Sequence, residues 1–113
     1  MTVRHHADVT HYAILCANRG IAYFAERTLE DAASRETTIA DIMAGQVTGV
    51  EKIFAFNCAE HIADDVTDEI AVEIANRCGP EPISPALHAF IEDHAGPALA
   101  RGLAIVDRTF AAA

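Results

Sequence analysis

Tryptophan is absent from this chain of 113 residues and aromatic side chains make up 6% of it, so a core has to be assembled from aliphatic residues and alanine at close range. Positive charge is also scarce. Eight basic residues stand against seventeen acidic ones, a net charge of −9, and the eight (Arg4, Arg19, Arg27, Arg35, Lys52, Arg77, Arg101 and Arg108) are scattered along the chain. Such a surface repels a phosphate backbone and offers no polybasic patch to anionic lipid, which argues against nucleic acid and against a membrane as partners. No apolar run approaches the ~18 residues of a membrane span, and the opening MTVRHHADVTH lacks the apolar stretch of a secretory signal. A cytoplasmic location is the expectation.

Cysteine occurs three times, as Cys16, Cys58 and Cys78, an odd set without any CxxC pair. That argues against both a disulfide framework and a thiolate zinc site, and reads as three reduced, mostly buried thiols. Nor does the chain contain GxGxxG, GxxxxGK[ST] or GxSxG; AGQVTG has two glycines but no lysine, and it follows a predicted helix rather than a strand. No known nucleotide loop is present, and no cofactor is called for. The chain is nevertheless long enough to bury roughly two thirds of its unfolded surface, so it can fold as one domain without metal or disulfide.

What the sequence does contain is a readable order of elements. Residues 1–10 are polar and aperiodic, a flexible arm that includes His5 and His6. Then YAILCA, NRG and IAYFAE place two short apolar runs around a connection with glycine, the signature of a hairpin. Tyr12, Ile14 and Cys16 share one face; the competing reading is a single helix over 11–26, which alanine and leucine would favour. A helical stretch follows from Leu29 to about 44, capped by Thr28, with Thr37 and Thr38 as the expected break, Thr38 and Asp41 capping the second piece, and Gly45 as its stop. VEKIFAFN, with apolar residues on both faces, is a strand. Val66, Ile70, Ile74 and Cys78, with Ala71 and Ala75, mark a helix ending at Gly79 and Pro80. After the proline-rich 79–85, Ser84 and Pro85 open another helix bearing Leu87, Phe90, Ile91 and His94, and a last one presents Leu99, Leu103, Val106 and Phe110.

The predicted fold is α+β: a three-stranded, mainly antiparallel sheet in the order β-hairpin, helix, strand, helix, covered by helices near 29–44 and 65–78, with two further C-terminal helices. The expected division is an arm at 1–10, a core at 11–79 and a helical pair at 80–113 packed on the core or on a second subunit. A three-stranded sheet leaves edges and a face to cover, and the last helix is apolar beyond its stripe, so a homodimer through the C-terminal pair is expected.

Chemistry-bearing side chains gather in NCAEHIADD, residues 57–65. His61 with Asp64 and Asp65 has the three-or-four spacing of metal ligands on a helix, and Cys58 with His61 could form a nucleophile and its base. That spacing applies only if the segment is already helical, and the aspartates do better as caps for the helix that follows, where a carboxylate accepts otherwise unpaired amide hydrogens. On that reading His61 alone has no structural reason to be there. His88 and Glu92, four apart in HAFIEDH, could hold a divalent ion or simply pair on an exposed helix, and His94 sits on the apolar stripe as a hydrogen-bonded histidine. No catalytic residue is assignable. Two functional classes follow: a non-enzymatic interaction or regulatory module that forms a homodimer and engages a protein partner, or a small metal-dependent or hydrolytic protein using His61 with Asp64 and Asp65, with a divalent metal as cofactor.

Overall fold

The alternation in YAILCA forms a strand. In a computed structural model of the chain, which describes residues 8–106, β1 (His11–Asn18) and β2 (Ile21–Phe24) make an antiparallel hairpin. Ile14 and Cys16 are buried on the face the alternation assigned to them. The connection is one residue shorter than expected: Asn18 pairs with Ile21, and Arg19 (φ 54°) and Gly20 (φ 79°) both take the left-handed conformation. Two such residues give the turn whose twist matches that of the flanking strands. His5 and His6 lie outside the described residues, as do Phe110 and the three terminal alanines.

The chain divides into two compact units, Met1–Thr67 and Asp68–Ala113. In the first, Thr28 caps α1 (Leu29–Ala32) by accepting the Asp31 N–H at 3.1 Å. The helical stretch breaks at Ser34, not at Thr37 and Thr38. Ser34 accepts the Thr37 N–H at 3.0 Å and starts α2 (Arg35–Met43), while Thr38 is fully buried and its hydroxyl donates back to the Ser34 carbonyl at 2.8 Å. That bond lets a β-branched residue sit inside the helix. Gly45 (φ 77°) ends α2, with the Gln46 N–H returning to the Asp41 carbonyl at 2.9 Å.

β3 (Val50–Asn57) pairs antiparallel with β1, from His11 opposite Phe56 to Cys16 opposite Val50, with a bulge between Leu15 and Cys16. Where β3 begins, the Ala17 N–H donates to the Gly49 carbonyl at 2.8 Å. The sheet then departs from the expected three strands. Ile62–Asp65 forms β4, antiparallel to β3 with Asn57 opposite Ile62 and Phe54 opposite Asp65, so the order is β2-β1-β3-β4. IADD has no apolar alternation of its own; the open ladder of β3 makes it a strand.

The second unit contains most of α3 (Thr67–Arg77), whose buried stripe is Ile70, Ala71, Ile74 and Ala75, close to the predicted one. Ser84 caps α4 (Pro85–Ala95) by accepting the Leu87 N–H at 3.1 Å, and Leu87, Phe90 and Ile91 are buried. α5 spans only Pro97–Arg101. The predicted continuation is not helical over 102–106: the Ile83 N–H donates to the Ala104 carbonyl and the Val106 N–H to the Ile83 carbonyl, each at 2.8 Å, in a short parallel bridge. Gly102 costs about 1 kcal/mol inside a helix, and the β-branched pair Ile105 and Val106 favours extended backbone. Among the described residues no helix is long and apolar enough to cross a membrane.

Candidate functional site

NCAEHIADD is a hairpin and the start of a cap. Asn57, 5% exposed, closes β3 with its side-chain oxygen accepting the Glu60 N–H at 3.0 Å, and the His61 N–H reaches back to the Cys58 carbonyl at 3.4 Å. The chain reverses over Cys58–His61, four residues, and His61 completes the reversal with φ 56°. Histidine, asparagine and aspartate are the non-glycine residues that tolerate this conformation best. His61 therefore has a backbone role that its sequence context did not reveal.

The two aspartates part company on β4. Successive residues of a strand point to opposite faces, so Asp65, opposite Phe54, and Asp64, opposite Ala55, diverge. Asp65 works on the backbone: one carboxylate oxygen accepts the Thr67 N–H at 3.0 Å and also the Thr67 hydroxyl, and the other accepts from the Lys52 ammonium at 3.1 Å. The hydroxyl of Thr67, then its amide, then Lys52 hold the Asp65 carboxyl down to about 2, against an ordinary 3.8. Thr67 itself is buried, and its oxygen accepts the Ile53 N–H at 2.9 Å while the Val66 N–H donates to the Ile53 carbonyl. One aspartate and one threonine thus tie the end of β4 and the start of α3 to β3. Thr67 was not singled out from the sequence, although a threonine two residues after an aspartate at a helix start is a signal for such a turn.

The remaining candidates have partners or places of their own within each unit. Cys16 pairs with Val50 at one end of β3 and Cys58 follows Asn57 at the other, so the strands keep the two thiols apart. Cys16 is buried, Cys78 is half-buried and Cys58 is exposed, which departs from the expectation of mostly buried thiols; burial pushes the Cys16 and Cys78 thiols up. On α4, His88 donates through Nε2 to the Ala100 carbonyl at 2.9 Å, and its Nδ1 stands 3.8 Å from the Glu92 carboxylate. His94 meets the Asp68 carboxylate at 3.1 Å and the Phe90 ring at 5.1 Å. Among the described residues, no group of three or more histidine, cysteine, aspartate or glutamate side chains converges as metal ligands would.

Arg27, one of the scattered basic residues of the sequence, has a structural role that its local pattern does not signal. Its side chain is 5% exposed and donates to the Tyr12 carbonyl at 3.1 Å, the Asp31 carbonyl at 3.0 Å and the Thr38 hydroxyl at 2.8 Å, with the Asp41 carboxylate at 3.5 Å. One planar fork joins β1, α1 and α2, a geometry that lysine's single ammonium does not offer. Its Nε is buried without a partner.

Several apolar side chains remain in water. They include Ile21 (66% exposed), Tyr23 (43%) and Phe24 (60%), which are all on β2, and Leu99, Ile105 and Val106 in the second unit. Comparison with protein-family models, with curated proteins and with solved structures gives no significant match.

Proposed function

We propose that this chain is a small cytoplasmic interaction module that acts by association rather than by catalysis, with a second copy of itself as its first partner. The observation that carries the reading is the apolar surface left in water on β2 and along Leu99, Ile105 and Val106, in a chain whose acidic stretch uses Asn57, His61 and Asp65 to shape the backbone. Large apolar side chains exposed together on one strand, Ile21 and Tyr23 on one face and Phe24 on the other, are candidates for a contact site. The C-terminal set, outside the dimer contact derived below, is then available to a different protein partner.

Size-exclusion chromatography with light scattering on the full chain tests the association, and a mass of two chains is expected. Capture of a protein partner by the full chain, lost with Leu99→Lys and Val106→Lys, is the second expected result. Metal analysis of protein purified without an affinity tag tests the competing reading. A stoichiometric divalent ion, or a melting temperature raised by zinc, nickel or manganese, would replace association with a metal function for His61, Asp64 and Asp65.

A further inference from the structure

We propose that two copies of this chain join through β2, edge to edge and antiparallel, to form one continuous eight-stranded sheet. The inference rests on the reading that the chain self-associates, and it places the contact on the hairpin.

β2 is an edge strand whose outer ladder is open, since β1 is its only strand neighbour among the described residues. The Ala25 N–H donates inward to the Ile14 carbonyl at 2.8 Å, and Tyr23 and Ile21 face Cys16 and Asn18 at the same two-residue interval. Because an antiparallel ladder alternates, Ala22 and Phe24 turn their N–H and C=O groups to the open side. Setting Ala22 of one copy against Phe24 of the other gives each of those groups a partner and brings the two Tyr23 residues together on the two-fold axis.

The side chains favour the same contact. IAYF carries neither a charge nor a proline, the devices that normally keep an edge strand from pairing, and three of its four side chains are exposed large apolar groups. The opposite edge is protected. β4 ends in Asp64 and Asp65, and joining two copies there would bring four carboxylates into one ladder. In this register Gly20 of one strand lies opposite Glu26 of the other, which sets Arg19 one residue from that carboxylate, while Arg27, which falls opposite Arg19, is already held by Tyr12, Asp31, Thr38 and Asp41 of its own chain. That local attraction works against the repulsion of two chains each carrying −9.

The area is that of a small specific interface. The exposed parts of Ile21, Tyr23 and Phe24 come to roughly 400 Å² per copy, and because edge pairing covers the flanks of these side chains with Ala22 and the backbone edge, the contact reaches at most roughly 1,000 Å², the small end of specific interfaces. Area alone sets no affinity, and a dissociation constant on the order of micromolar is the value to test for a contact of this size.

Sedimentation or light scattering on the full chain, over a concentration series bracketing that value, tests the proposal. Ala22→Pro removes an outward N–H and leaves the ladder to β1 intact, and Phe24→Lys adds charge to the edge. Both are expected to weaken dimerisation at least ten-fold with an unchanged far-UV spectrum, whereas Leu99→Lys leaves it unaltered. Should the dimer survive both β2 variants and dissociate with Leu99→Lys, the contact proposed here is wrong and self-association stands; a wild-type chain that stays monomeric removes both. As a readout independent of destabilisation, Tyr23→Cys in a Cys16→Ala, Cys58→Ser background, which removes the thiol opposite position 23 in the same chain, is expected to form a disulfide-linked dimer on mild oxidation, since a pair on the axis brings the two α-carbons to about 4.5 Å. A folded Tyr23→Cys chain that does not cross-link would overturn the register.

Discussion

Replacing Gly49 by alanine isolates the contact that seats β3 against β1. Gly49 has φ 69°, and a β-carbon there would stand 2.5 Å from the Ala17 carbonyl oxygen. Gly45 (φ 77°) and Gly20 (φ 79°) share the left-handed backbone, but a β-carbon at either would meet nothing within 4 Å. Holding alanine in that conformation costs roughly 1–2 kcal/mol, partly offset by a stiffer unfolded chain, so Gly45→Ala and Gly20→Ala should each destabilise by about 1 kcal/mol. Gly49→Ala has the same cost and must also push a backbone carbonyl away, straining the 2.8 Å bond from the Ala17 N–H to its own carbonyl. Forced displacement in a packed region adds roughly 1–3 kcal/mol, for a total of about 2–4 kcal/mol. Urea unfolding followed by far-UV circular dichroism, read as the midpoint at constant slope, measures all three. Values for the three variants that agree to within about 0.5 kcal/mol would refute the close approach of β3 to β1 as a determinant of the fold.

Other substitutions probe the roles assigned above. His61→Gly should leave the urea midpoint unchanged or raise it, while His61→Val, β-branched at a left-handed position, should lower stability by about 1–2 kcal/mol; a histidine needed only for chemistry would show no such contrast. Arg27→Ala removes a nearly buried fork from three acceptors and should cost about 3 kcal/mol, with Arg27→Lys recovering less than half of it in the same assay. Thr67→Val leaves the Ile53 N–H without its acceptor and should cost roughly 1–3 kcal/mol, and it should raise the Asp65 pKa toward 3.8 because the largest cause of its depression is gone. Asp65 makes the stability depend on pH in a defined direction. Its folded pKa lies below the ordinary value, so its contribution is complete above about pH 4 and is lost as pH falls through about 2. The side chain is 45% exposed and screened by solvent, which limits that contribution to about 1 kcal/mol, and the gap between wild type and Asp65→Asn should close over that interval.

The elements that were legible in advance are those specified locally. Alternation through Tyr12, Ile14 and Cys16 with glycine at the reversal identifies the first hairpin, and the stripe at Ile70, Ala71, Ile74 and Ala75 identifies α3. Thr28 and Ser84 cap the helices they precede. Where the outcome depended on a distant partner, the local pattern misled. Ser34 and Thr38 are both competent caps, and Thr38 is instead drawn inward as an acceptor for Arg27, eleven residues away. Ile62–Asp65 carries the composition of a helix-capping loop and becomes a strand because β3 offers an unpaired ladder. Gly102 was a visible breaker in the last predicted helix, and its neighbours Ile105 and Val106 formed a bridge with Ile83 that no local pattern announces. In the candidate site, the capping work of Asp65 was readable from the sequence, whereas the left-handed turn at His61 depends on the strand that follows it.

A single nuclear magnetic resonance titration reaches the centre of the account. The side-chain carboxyl carbon of Asp65 should titrate near 2 and hold its shift when zinc is added at neutral pH, because Thr67 and Lys52 already occupy its oxygens. A midpoint near 4, or a zinc-dependent shift shared with His61, would show that the carboxylate is free for chemistry and that the backbone role assigned to this stretch is mistaken.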